Sequence, residues 1–254
     1  MKIAVCIKQV PTRDVQPRVN DQKTWVRDQD ASFELNEPDA YALEEGLRLK
    51  EKHGGEVVVC SAGPARVAQA LRESLARGAD RAIHVEGDGL ATADAFAVSE
   101  ALAAAMREEH FDLVLTGLQS DDQGFAQTGP ILAELLGIPS ATIIMEVDVQ
   151  PGGLRVKREL EGGWFQWVAL PLPALLTIQS GINQLRYATL KGIMAAKKKE
   201  IRKVAPPEGL VSRQRIVHLY VPAKQKQTEM IGGTPAEAAK ALVRRLRDDA
   251  RVLS

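Results

Sequence analysis

Apolar and polar positions along the first 140 residues follow two different periods. Short apolar runs, IAVCI (3–7), EVVVC (56–60), AIHV (82–85) and DLVLT (112–116), alternate with stretches where apolar residues recur every three or four positions, near 38–52, 64–77, 92–107 and 128–136. An unbroken apolar run of four or five residues suits a strand buried on both faces, and the 3.6-residue period suits helices lying on a sheet. The alternation predicts an α/β fold with a mostly parallel, doubly wound sheet. Helix punctuation agrees. Asn36 can cap the helix entered through Pro38, and Gly78 and Gly137 follow the last apolar turns as left-handed C′ residues. Val67, Ala68, Leu71 and Leu75 repeat at helical spacing as core residues of the second helix.

After Pro139 the pattern becomes strand-like: ATIIMEVDV, a PGG turn, LRVKREL, an EGG turn, WFQWVAL, then PALLTIQ. Closely spaced turns predict a hairpin or meander that extends the sheet in antiparallel fashion. From 200 to 233 no long period appears, although RIVHLYV could be one short strand, so this segment reads as an arm lying on another surface. Thr234 and Glu237 then form a capping box around Pro235 and open a C-terminal helix. The chain divides into a core, 1–199, and an arm with its helix, 200–254.

Charge adds little to this picture. Lys plus Arg and Asp plus Glu both number 33, and aromatic residues make up only 4%, which argues against a nucleic-acid surface. Cys6 and Cys60 lie in apolar runs and form no CxxC, and His53, His84, His110 and His218 lack ligand spacing. Buried reduced thiols and no metal site are expected. No stretch approaches the roughly 20 apolar residues of a membrane span, and the first run is too short for a signal peptide, so a cytoplasmic protein without membrane insertion is expected.

Ligands of open parallel sheets collect at the carboxyl ends of the strands. Here Cys6 closes the first strand, SAGPA (61–65) follows the second, and the fourth runs through TGLQSDDQGFAQTG into a helix. Free N–H groups and the helix dipole at that start, with the Thr128 hydroxyl, could hold a phosphate; an ordinary polar loop would read the same way. GxGxxG, GxxxxGK[ST] and GxSxG are absent, and Asp121 and Asp122 read as solvated or capping acids, so no catalytic residue is assigned.

Taken in order, IAVCIKQVP, NEPDAYALEEGLRLKE, SAGPARVAQALRESLARGADRAIHV, SDDQGFAQTG, VKRELEGG and RYATLKGIMAAKKKE resemble the motifs of the β subunit of electron transfer flavoproteins over nearly the whole chain. The resemblance implies an adenine-nucleotide-binding, Rossmann-like fold and a role as electron carrier rather than enzyme. It also implies an α-subunit partner holding most of an FAD, and electrons received from dehydrogenases such as acyl-CoA dehydrogenases. It implies one AMP in this subunit, touching Cys6, then Asn36, Glu37, Pro38 and Asp39, then Ala62, and then Gly117, Leu118, Gln119, Ser120, Asp121, Asp122, Gln123, Gly124, Phe125, Ala126, Gln127 and Thr128. The middle of that loop, Gln123 to Phe125, departs from the more acidic loop of many members and is similar to the branch that partners trimethylamine dehydrogenase. Electron-bifurcating relatives carry a second FAD in this pocket, typically with an apolar residue at the position of Thr128. The threonine favours AMP, and the bifurcating reading stays open.

The resemblance also makes 184–199 a recognition loop, with Leu190 as the anchor entering a partner dehydrogenase and Tyr187, Ile193 and Met194 beside it. Ile193 and Met194 could equally form the core face of a short helix, and Lys197 to Lys199 could be a solvated face. A stand-alone adenine-nucleotide hydrolase would need an SGGxDS-like loop, which SAGPARV lacks.

Overall fold

The computed structural model describes residues 1–14, 18–27, 31–223 and 228–253. The chain opens with β1 (Lys2–Cys6), β2 (Gln9–Pro11) and β3 (Phe33–Leu35), the last two forming a small antiparallel pair. Helix α1 (Glu37–His53) follows, then β4 (Glu56–Gly63), α2 (Ala68–Arg77), β5 (Arg81–Glu86), α3 (Ala95–Met106), β6 (Leu113–Gly117) and α4 (Thr128–Leu136). The remaining elements are β7 (Ser140–Gln150), β8 (Gly153–Glu159), β9 (Phe165–Pro171), β10 (Ala174–Ile178), α5 (Leu190–Ala196), β11 (Ile201–Val204) and α6 (Pro235–Asp248). Among the described residues no helix is long and apolar enough to cross a membrane.

Nine strands form one sheet in the order β11-β5-β4-β1-β6-β10-β7-β8-β9, parallel from β11 to β7 and antiparallel beyond. It is the expected doubly wound α/β sheet. Leu43 and Leu47 of α1 and Leu71 and Leu75 of α2 share a core cluster with Ile3, Val5 and Leu115. Leu102 and Met106 of α3 and Leu132 of α4 pack with Ala4, Val58 and Val114, whose side chains alternate to the other face.

Three details differ from the expectation. The meander ends at β9, and β10 does not continue it: all five β10 residues are buried, and the strand inserts in parallel between β6 and β7. A run apolar on both faces belongs in mid-sheet rather than at an edge. The arm expected from 200 begins with β11, which pairs with β5. RIVHLYV forms no strand, and the edge beside β5 is occupied by β11. Finally, the second and third helices start late, the second through a 3-10 turn at Ala65–Val67 and the third at Asp94, whose carboxylate accepts the Ala97 N–H at 2.9 Å.

Gly78 and Gly137 do end their helices with positive φ, 137° and 69°. Asn36 stands at the N-cap position of α1, but its side chain makes no cap bond and is used elsewhere. At the amino ends of the strands, Glu109 gathers Lys2 (2.8 Å), Arg81 (2.7 Å) and Arg202 (2.8 Å), fastening β1, β5 and β11 together. By compactness the chain divides after Leu219. Of the 200–233 segment, 224–227 lie outside the described residues; Tyr220 onward forms a unit of its own, in which Thr234 and Glu237 make the expected capping box.

Candidate functional site

Strand order reverses between β1 and β6, and a cleft opens there at the carboxyl ends. One side is formed by Cys6, Lys8, Asn36, Asp39 and Ala62, and the loop Gly117 to Gly129 forms the other. Leu90, Ala93, Val98 and Leu102 supply an apolar wall.

The first turn of α1 fastens these pieces. Asp39, buried, accepts the N–H of Lys8 at 2.7 Å and the N–H of Gly117 at 2.9 Å, joining the ends of β1 and β6 through one carboxylate. A Cβ on Gly117 would stand 2.4 Å from Asp39 Oδ1, so only glycine allows this approach. Burial pushes the Asp39 carboxyl up to about 7, against the pull of the two N–H groups and Asn36. Asn36 donates to the Gln119 carbonyl at 3.0 Å and accepts the Asp121 N–H at 2.9 Å, so it braces the loop instead of capping its own helix.

The loop's acids turn away from the cleft. Asp122 takes Lys8 Nζ on both oxygens, at 2.7 and 2.8 Å, while Asp121 pairs with Arg13, which also holds Glu37 at 2.6 Å. Of the expected contact residues, Cys6, Asn36, Asp39, Ala62, Gly117 to Ser120, Gln123 and Phe125 to Thr128 border the cleft. Glu37, Pro38, Asp121, Asp122 and Gly124 do not, since they build the frame behind it. Ala126 adopts φ 54°, a left-handed conformation uncommon without glycine, just before α4 begins.

At the start of α4, Gln127 makes no side-chain cap, and Thr128 and Gly129 border the cleft. Gly129 lets the helix close onto the sheet: a Cβ would meet Thr177 Cγ2 at 2.6 Å and Thr116 Oγ1 at 2.9 Å. Ser99 Oγ donates to the Thr128 carbonyl at 3.1 Å and ties the helix start to α3. The result is a short helix N-terminus, fixed in place, beside an apolar wall. Chemically, that combination has room and donors for an anionic group at one end and apolar surface for a flat ring at the other.

The wall residues were not foreseen, because Leu90, Val98 and Leu102 read in sequence as ordinary core. Nor was their brace. Leu210 packs on the cluster of Val85, Leu90 and Ala101, behind the Leu90 part of the wall. The second oxygen of Asp94 accepts the N–H groups of Arg213 (2.6 Å) and Gln214 (2.7 Å).

Cys6 and Cys60 stand in register on β1 and β4, both buried and unpaired as thiols. Burial raises both, Cys60 to about 12, so each stays protonated and unreactive near neutral pH. His84 is buried with Nε2 3.1 Å from the Gly63 carbonyl, and burial lowers its pKa, favouring the neutral ring.

A second region stands out on the segment from Tyr187 through α5. Tyr187 is 90% exposed and Leu190 78%, and Ile193 and Met194 are also exposed, so none of the four belongs to the core; Ala196 is the buried residue of α5. Gly192 lets α5 lie against α2, where a Cβ would come within 2.3 Å of the Ala76 carbonyl oxygen. Lys199 is not a solvated charge: its Nζ donates to the carbonyls of Leu75 (3.1 Å) and Ala79 (2.5 Å) at the end of α2. Lys197 and Lys198 are exposed.

The family model described as "Electron transfer flavoprotein domain" matches residues 24–208. The chain is 38% identical over 256 residues to the "Electron transfer flavoprotein subunit beta" of Methylophilus methylotrophus, covering 96% of this chain and 97% of that protein. It is 34% identical to the protein of the same name from Bacillus subtilis (strain 168), covering 100% of both chains. It is also 34% identical to the one from Homo sapiens, covering 99% of both.

Proposed function

This chain belongs to the electron transfer flavoprotein family, as its β subunit, and on that footing we propose that it binds one AMP in the β1/β6 cleft and presents residues 187–194 to electron-donating dehydrogenases. A β subunit works beside a partner subunit in a flavin-containing complex. The flavin, held mainly by the α subunit, supplies the ring that accepts and releases electrons, while this chain acts as a carrier component with no catalytic residue of its own.

The observation that carries the docking role is the 78% exposure of Leu190 at the first position of α5, a helix whose Thr189 cap accepts the Gly192 N–H at 3.0 Å. A large apolar side chain held in water on an ordered helix end is an anchor in search of a pocket. Exposed lysines 191, 197 and 198 around it give a polar rim that orients an encounter. Dehydrogenases such as acyl-CoA dehydrogenases are the donors the family implies.

The cleft fits AMP by its donor set. The first turn of α4 and the Thr128 hydroxyl would hold the phosphate, and Leu90, Val98 and Leu102 would face the adenine. No step of electron transfer is assigned to this site; its contribution is structural. The unit from Tyr220 onward supports a further element of the reading: α6 has no buried residue, yet Leu242 and Val243 share an amphipathic helix, so this unit packs on the α subunit.

Co-expression with the α subunit followed by nucleotide extraction tests the assignment. One AMP and one FAD per heterodimer are expected. Two flavins and no AMP would move the protein to the bifurcating class and overturn the AMP reading.

A further inference from the structure

The segment that carries Leu190 is an arch with two feet. Its rear foot is on α2, where Arg72 donates to the carbonyls of Ala196 and Lys199, both at 2.6 Å. Its front foot is on α1, and the guanidinium nearest Leu190 in sequence is that of Arg186. Arg186 Nε donates to Glu44 Oε2 at 2.7 Å and its Nη2 to Glu44 Oε1 at 3.1 Å, while Nη1 and Nη2 reach the two oxygens of Glu51 at 2.6 and 3.1 Å. Tyr187, the next residue, is already in solvent.

Glu44 is only 4% exposed, although it is a carboxylate on a helix flank. Burial raises its pKa, but Arg186 and Arg48 more than compensate and keep it ionised below its ordinary range. Arg48 adds a second tie, donating to Glu44 at 2.8 Å and to the Gln184 carbonyl at 3.0 Å. One turn along α1, Asn183 donates to Glu45 at 3.1 Å and to the Tyr41 carbonyl at 3.2 Å. Beside the front foot a cavity opens between α1 and α2, lined by Glu44, Arg48, Ala76, Arg77, Arg186 and Thr189. Behind Leu190, α5 rests on α2 through Gly192 and Ala196, so the side that the α2 contact leaves open is the approach from α1, which Arg186 fixes.

We infer that Arg186, forked between Glu44 and Glu51 of α1, is a positioning residue for dehydrogenase docking: it holds the front of the arch so that Leu190 is presented in one orientation. The inference rests on the docking reading of Leu190. A bidentate fork fixes direction as well as distance, which a lysine ammonium at the same place does not. A segment ordered before contact also avoids the entropy of ordering during it. The same helix that clasps the nucleotide cleft through Asn36 and Asp39 thus carries the docking arch five to fifteen residues further on.

The test uses the complete heterodimer, with an acyl-CoA dehydrogenase that reduces it as the probe. Four proteins are compared: the parent, Arg186→Lys, Glu51→Gln and Leu190→Ala. Arg186→Lys keeps the charge and loses the fork. Glu51→Gln removes a largely exposed acceptor and leaves Glu44 paired, so it serves where the lysine variant folds poorly. Expected are faster amide hydrogen exchange over 187–196 and an apparent KM for the dehydrogenase raised about fivefold in Arg186→Lys. Glu51→Gln should show a smaller rise, with kcat, flavin content and melting temperature retained in both. A raised KM in Leu190→Ala together with parental KM and exchange in both clamp variants overturns this inference alone. Parental KM in Leu190→Ala overturns the docking reading, and this inference with it.

Discussion

The Asp39 carboxylate accepts the main-chain N–H of Gly117 at 2.9 Å across 78 residues of sequence, and so the first turn of α1 closes the end of β6, five elements further along the chain. Asp39→Asn keeps the size of the side chain but turns one acceptor into an NH2 that faces an N–H. A loss of about 1–3 kcal/mol in urea unfolding is expected. The wild-type carboxyl has a folded pKa of about 7 against an unfolded value near 3.8, so the folded state binds more protons between those values. Its contribution is fully present below about pH 4 and is lost as pH rises through 7. Asp39→Asn should flatten that part of the stability profile.

Leu190→Ala separates docking from packing. With the side chain 78% exposed, the melting temperature and the nucleotide and flavin contents should stay at parental values. Truncating an interface anchor commonly costs about 2 kcal/mol or more, roughly thirtyfold in affinity, so the loss should appear as a raised apparent KM for the dehydrogenase. A lowered melting temperature with normal kinetics would return Leu190 to the core.

Truncation after Leu219 tests the role of the last unit. Residues 1–219 form a compact unit that contains the whole sheet, so far-UV circular dichroism and cooperative melting should survive. Co-purification with the α subunit should be lost, and stoichiometric recovery of the pair would refute the assignment.

Gly129→Ala probes the start of α4. The added methyl would lie 2.6 Å from Thr177 Cγ2 and must push the helix away from β6 and β10. Overpacking of this kind costs about 1–3 kcal/mol. If the α4 start holds the phosphate, AMP recovered from the purified heterodimer should fall below one equivalent. Stripping AMP from the parent should lower its melting temperature by mass action, with little change in flavin redox behaviour.

Acid stability should depend on Glu109. Hydrogen bonding to Arg81, opposed by partial burial and aided by Lys2, brings its carboxyl down to about 2. Its contribution is present above the unfolded value near 4.5 and is lost as pH falls toward 2. Glu109→Gln should therefore destabilise the chain by about 2 kcal/mol at pH 7 and by progressively less on acidification, as read from urea midpoints across pH 3–7.

Features carried by local pattern could be read in advance. Buried strands announce themselves as apolar runs, and the glycine-rich polar stretch from Gly117 to Thr128 marked the cleft loop. Where long-range partners decide, the pattern is silent. IRKV at 201–204 is half basic and short, and becomes a strand only because β5 offers an edge and Glu109 accepts Arg202. Leu90, Val98 and Leu102 look like any core residues, and their exposure to a cleft depends on the loop opposite. Asn36 has the composition of a cap, yet its donor and acceptor are taken by Gln119 and Asp121, about 84 residues away.

The place of β10 also imposes an order in time. Among the described residues β6 and β7 do not pair: one belongs to a four-stranded parallel block with β5, β4 and β1, the other to a three-stranded meander, and β10 bonds to both. A chain emerging from the ribosome must therefore hold two half-sheets apart, each with a bare hydrogen-bonding edge, until residues 174–178 arrive. Closing that gap is a non-local event whose loop entropy must be met before any of its bonds form. Until it is complete, those two edges are where a nascent chain is open to mispairing with its neighbours, and where a chaperone would have something to shield.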